Sequence, residues 1–162
     1  MVAVQLNTFT AVGTAIKMVA YMKYSSPATG MPVVVSFTVE TDGRLPTGDT
    51  LGDAIEQVDR ETGGYPISYG INCAHPDHFE DVFVTGEDWV ERIGLVRANA
   101  SRMSHEELDN SEELDAGDAV ELGEQFATLR ELLPNLVVLG GCCGTDHGHI
   151  DQIGRTCVTS VG

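Results

Sequence analysis

Short apolar segments recur along this chain at residues 2–6, 33–39, 67–73, 95–100 and 136–139, each rich in β-branched side chains. Each predicts a buried strand. Several run nearly continuously apolar instead of alternating, as a parallel sheet covered on both faces requires. Helical spacing fills the intervals. Residues 11–22 put Ala15, Ile16, Val19 and Met22 on one face, and residues 50–60 open on a hydroxyl cap and carry Leu51, Ala54, Ile55 and Val58. A third helix is expected at 79–84 or 89–93 and a fourth at about 119–133. A last one starts near Thr145 and Asp146 and runs through Ile150 and Ile153. Residues 102–117 break the pattern. Ser104 and Glu107 have capping-box spacing, but six acidic residues between Glu106 and Asp115 predict a solvated excursion with a helical turn, placed to contribute to a lid over the strand ends.

Repeating βα units build either a doubly wound sheet or a closed barrel, and periodicity does not separate the two. Both put function at the carboxyl ends of the strands. With 162 residues, 42% of them hydrophobic, the chain can bury a core of its own and reads as one domain over 1–162. Nine basic residues against 25 acidic ones give a formal charge of −16, which repels phosphate backbones and anionic lipid, so neither nucleic acid nor membrane is an expected partner. No apolar run nears the ~20 residues that span a bilayer, and the N-terminus lacks a signal-peptide pattern, so the cytoplasm is the expected compartment. Thiols stay reduced there, and four cysteines then read as metal-binding, catalytic or buried.

Cys73 ends the third predicted strand and Cys142 with Cys143 follows the fifth, so all three fall on one rim. Neighbours on a strand point to opposite faces; Cys142 and Cys143 reach a common point only if the backbone leaves strand geometry. Gly140, Gly141 and Gly144 make that departure cheap, while Gly70 suits close packing or a bulge. Three thiolates suit Zn2+ and leave a fourth coordination position open for substrate. Buried apolar cysteines, a structural zinc site completed by a nearby histidine, and a vicinal redox pair are the other readings of this spacing. Cys157 falls on the buried face of the last helix.

Gly70-Ile71-Asn72-Cys73 and Gly140-Gly141-Cys142-Cys143-Gly144-Thr145 resemble the zinc motifs of the homocysteine S-methyltransferase family, including its betaine-dependent branch. The strand at 33–39, the loop at 43–50 and Arg97-Ala98-Asn99-Ala100-Ser101 resemble later parts of the same family. The resemblance implies a (β/α)8 TIM barrel that methylates homocysteine to methionine, with Zn2+ held by Cys73, Cys142 and Cys143 and the substrate sulfur as fourth ligand. It implies a methyl donor of the sulfonium or quaternary ammonium class: S-methylmethionine, S-adenosylmethionine or betaine. Asn72, Asn99 and Thr38 lie at strand ends and are candidates for contact with the amino-acid part of the substrate, against local capping for the asparagines and packing for Thr38. Thr145 is expected to cap the last helix, His147 and His149 to be polar helix-start residues, and His75, His78 and His105 to lie at the surface or behind the site.

An eight-stranded barrel takes ~250 residues, and five strands are legible here. The chain is therefore expected to correspond to the fourth barrel strand onward, without the family's early aspartate-glycine motif. It is also expected to need a complementing chain or a second copy to cover its edges. The alternative to an enzyme is a non-catalytic zinc-binding barrel fragment that needs such a partner.

Overall fold

A computed structural model describes residues 4–25, 30–85 and 87–158. The elements run β1 (Val4–Phe9), α1 (Val12–Ser25), β2 (Val33–Phe37), α2 (Leu51–Thr62), β3 (Ser68–Asn72), β4 (Ile93–Ala98), α3 (His105–Asn110), α4 (Ala119–Leu132), β5 (Val138–Gly141) and α5 (His147–Val158). The first two positions of the first predicted strand, Val2 and Ala3, lie outside the described residues.

All five strands are parallel, and their order across the sheet is their order in the chain. That order separates the two architectures the periodicity left open. A doubly wound sheet reverses direction at a switch point, whereas successive barrel strands always pair with the next one. The fold is thus α/β with the arrangement of part of a TIM barrel, five parallel strands that each pair with the next in the chain. Right-handed crossovers then place the connecting helices on one side of the sheet, where α1 packs on α2 and α4 on α5.

Strand burial follows the apolar runs. Val35, Phe37, Tyr69, Ile71, Val96 and Ala98 are buried across the three central strands. Helix α2 buries Leu51, Ala54, Ile55 and Val58, the stripe its spacing predicts, and Thr50 caps it by accepting from the Asp53 amide. Helix α4 buries Leu122, Phe126 and Leu129, each contributing roughly 1.5–3 kcal/mol.

Several expectations shift: β1 runs on to Phe9 instead of ending at residue 6, and β4 covers Ile93–Ala98 instead of 95–100. Between β3 and β4 the predicted α-helix is replaced by three 3-10 segments, Pro76–His78, Glu80–Thr85 and Asp88–Arg92. Phe79, Phe83 and Trp89 all turn inward there and contact in sequence with ring centroids 5.9 Å apart, an arrangement that separate short turns accommodate. The last strand begins two residues later than its apolar run. Leu136 closes a turn onto the Leu133 carbonyl, and Gly140 and Gly141 take the places opposite Arg97 and Ala98. Among the described residues no helix is long and apolar enough to cross a membrane.

Candidate active site

Two turns at the carboxyl rim of the sheet carry the three cysteines. Strand β3 stops at Asn72, and Cys73 follows with φ 56°, the one described residue other than glycine with a positive φ. Its amide still bonds to the Arg97 carbonyl at 3.0 Å. Gly70, upstream, lies where a Cβ would come within 2.6 Å of the Leu95 side chain, and the register slips between Tyr69 and Gly70. Both predicted reasons for that glycine therefore apply. Strand β5 ends at Gly141, and Cys142 keeps one bond to the sheet, to the Ala98 carbonyl at 2.7 Å. The chain then folds back. Thr145 bonds to the Cys142 carbonyl through its amide at 3.2 Å and its hydroxyl at 2.7 Å, and Gly144 adopts φ 77°. This is the departure from strand geometry that adjacent cysteines need.

The sulfurs meet. Sγ of Cys73 lies 2.6 Å from Sγ of Cys142, and Cys142 also receives the amide and thiol of Cys143. The contact with Cys73, with further help from Cys143 and the nearby Arg97 charge, lowers the Cys142 pKa to about 5 against burial. The same contact, then burial and the adjacent thiolate, pushes Cys73 up, and burial followed by that thiolate pushes Cys143 up. Among the described residues no group of three or more His, Cys, Asp or Glu side chains stands ready to hold a metal ion.

Asn99 ties the two turns together. Buried at 2% exposure, it donates from Nδ2 to the Cys73 carbonyl at 3.1 Å and accepts the Cys143 amide on Oδ1 at 3.2 Å. Both ends of its amide are committed to backbone, in keeping with local capping. Asn72 is buried at the end of β3, and Thr38 is buried with its hydroxyl 3.4 Å from Nε2 of His105.

Of the two places expected for His75, His78 and His105, the surface or behind the site, His105 takes the second. His105, from the acidic excursion, reaches over the rim and places Nε2 2.6 Å from the Cys73 carbonyl, with Nδ1 3.3 Å from Oε1 of Glu40. Its capping box was legible, and both halves of it form; the helix it starts is what aims the ring. His75 is not at the surface but buried, accepting from the Asp77 amide, and burial lowers its pKa to about 4 against the opposing Asp77 charge. His149 is likewise buried. Its Nδ1 accepts the Asp146 amide and its Nε2 donates to the Ala116 carbonyl at 2.8 Å, fastening the excursion to α5. Asp146, not Thr145, caps α5 through the amides of Gly148 and His149, since the Thr145 hydroxyl is occupied by Cys142. Cys157 is buried as expected.

A narrow cleft bounded by Val39, Glu40, Cys73, Asn99, Met103 and His105 lies between rim and excursion. A larger open hollow of about 810 Å³ is lined by Asp42, Arg44, Asp53, Glu56 and Trp89, among others, and touches none of the three cysteines.

The family model described as homocysteine S-methyltransferase matches residues 4–157, a span that includes both cysteine turns. No curated protein and no solved structure gives a significant match.

Proposed function

This chain belongs to the homocysteine S-methyltransferase family, and on that premise we propose that it transfers a methyl group to the thiol of homocysteine, giving methionine, at a Zn2+ site formed by Cys73, Cys142 and Cys143. Residues 1–162 act as the homocysteine-binding part of the barrel. The observation that carries this reading is the meeting of cysteines from two separate rim turns, with Sγ of Cys73 2.6 Å from Sγ of Cys142 and Cys143 next to it in the chain.

The donor set fits the metal in kind: three cysteine sulfurs leave one position for a fourth sulfur. Cys73, Cys142 and Cys143 are the residues that would hold the ion. When bound there, Zn2+ supplies the Lewis acidity that keeps a substrate thiol ionised at neutral pH. The protein's own part is orientation. Asn99 fixes both turns at once, and the buried Asn72 and Thr38 are the candidates for contact with the substrate's amino-acid part. A sulfonium or quaternary ammonium donor releases a neutral thioether or amine as its methyl carbon is taken by the substrate sulfur. The formal charge of −16 favours the approach of such cations. Free thiols at the site call for a reducing compartment, which makes the cytoplasm the proposed location.

A second reading, a zinc-binding barrel segment that works only with a partner chain or a second copy, draws on the edge at β5. Val137 and Val138 there are 82% and 47% exposed. The zinc-loaded chain, supplied with homocysteine and in turn with S-methylmethionine, S-adenosylmethionine and betaine, separates the two. Methionine formation that Cys142→Ser abolishes is expected. Stoichiometric zinc with no turnover from any donor overturns the enzyme reading for this chain and leaves the second.

A further inference from the structure

We propose that His105 is a positioning residue for the thiol site: its imidazole, steadied by Glu40, pins the Cys73 peptide so that the Cys73 sulfur faces Cys142. The inference rests on the proposed three-thiolate site and adds a residue outside its ligands.

Cys73 sits in the left-handed region at φ 56°, which is unfavourable for a residue with a Cβ and persists only where surrounding bonds hold it. Three bonds converge on its backbone. The amide is bound by the Arg97 carbonyl at 3.0 Å, and the carbonyl accepts two side-chain donors, Asn99 Nδ2 at 3.1 Å and His105 Nε2 at 2.6 Å. A carbonyl has two lone pairs, so its acceptor capacity is filled. The two donors differ in origin. Asn99 follows β4 and belongs to the sheet rim, whereas His105 comes from the excursion, delivered by the Ser104–Glu107 capping box that starts α3. The far side of the ring faces Glu40, beyond the end of β2, and Thr38 Oγ1 lies 3.4 Å from Nε2. The ring is therefore gripped between the β2 end and the β3 end, and the excursion is connected to the sulfurs through one peptide.

The test compares the unaltered chain with His105→Ala and His105→Gln, whose amide nitrogen can replace Nε2. Each is titrated with Co2+ against a competing chelator, and the thiolate-to-metal absorption is recorded. His105→Ala should weaken Co2+ binding about 10–100-fold and alter the spectrum per bound ion, with His105→Gln recovering most of both. Unchanged affinity and spectrum in folded His105→Ala, even with a lower melting temperature, overturns the proposal. A metal-free arm uses phenylarsine oxide, which bridges two adjacent thiols, in a Cys143→Ser background where Cys73 and Cys142 are the rim pair. Adding His105→Ala should weaken bridging at least tenfold, and equal bridging overturns the proposal. An unaltered chain that shows no thiolate-to-Co2+ absorption overturns the zinc reading alone, because the arsenical arm then decides the role of His105.

Discussion

Cys73 and Cys142 are held sulfur to sulfur by bonds from backbone groups, Asn99 and His105, so small steric changes around the turns should register at the site. Gly141 is the sharpest case. A Cβ there would come within 2.6 Å of the Thr145 Cβ, and Thr145 cannot retreat without releasing the Cys142 carbonyl. Gly141→Ala should destabilise the fold by about 1–3 kcal/mol and weaken metal binding, read by thermal melting and chelator competition. Away from the rim, Tyr69 is fully buried and donates to Asp59 Oδ1 at 2.7 Å, beside Arg92, which grips the same carboxylate. Burial first, then the Asp59 hydrogen bond and charge, push its hydroxyl pKa well up. The folded state therefore keeps a proton that the unfolded chain loses near pH ~10. The resulting stability is fully present below that pH and falls as pH rises through it. Tyr69→Phe should cost about 1 kcal/mol at neutral pH yet show a flatter decline above pH 10, measured by urea unfolding across that range.

The acidic excursion, residues 102–117, is mostly solvent-exposed along its length, as its charge implies, but it is fastened at both ends. Arg102 pairs with Asp77 and Glu121, and its carbonyl meets Nε2 of His78. Ser101 donates to Asp115 at 2.6 Å, and His149 holds the Ala116 carbonyl. Exposed ion pairs of this kind contribute little each, so the buried His149 bond is the anchor that matters. His149→Ala should leave the sheet intact, lower stability by about 1–3 kcal/mol and speed cleavage of the excursion by a glutamate-specific protease several-fold. Unchanged cleavage would show that the Arg102 end suffices. The start of α3 was legible because a capping box is a four-residue event. Where that helix comes to rest was not, because Glu40, Thr38 and Cys73, which receive His105, lie far from it in the chain.

Across the whole chain, 25 acidic residues against nine basic ones make self-repulsion the dominant long-range electrostatic term. Raising sodium chloride from about 0.05 to 0.5 M shortens the screening length severalfold and should raise the melting temperature in scanning calorimetry. A fall would mean that the ion pairs around Arg102 and Arg92 outweigh the net charge. The strand order has a similar molecule-wide consequence. Parallel pairing of each strand with its successor brings the ends of β3, β4 and β5 side by side, and this puts Cys73, Asn99 and Cys142 within one hydrogen-bonded cluster.

Local pattern was enough to place the strands, the helices α1, α2, α4 and α5, the Thr50 cap and the three rim cysteines, because each depends on residues close in sequence. The Gly-Gly-Cys-Cys-Gly-Thr run likewise announced a turn. It did not show that the Thr145 hydroxyl would close that turn and leave the capping of α5 to Asp146. The choice between barrel-like and doubly wound order lay beyond local pattern, since both use the same βα unit and differ only in which strands pair. So did the burial of His75 and His149 and the reach of His105 to Cys73. A histidine's role is set by what surrounds its ring, and here those neighbours arrive from segments 32 or 33 residues away for His105 and His149, through contacts that exist only once the chain has folded.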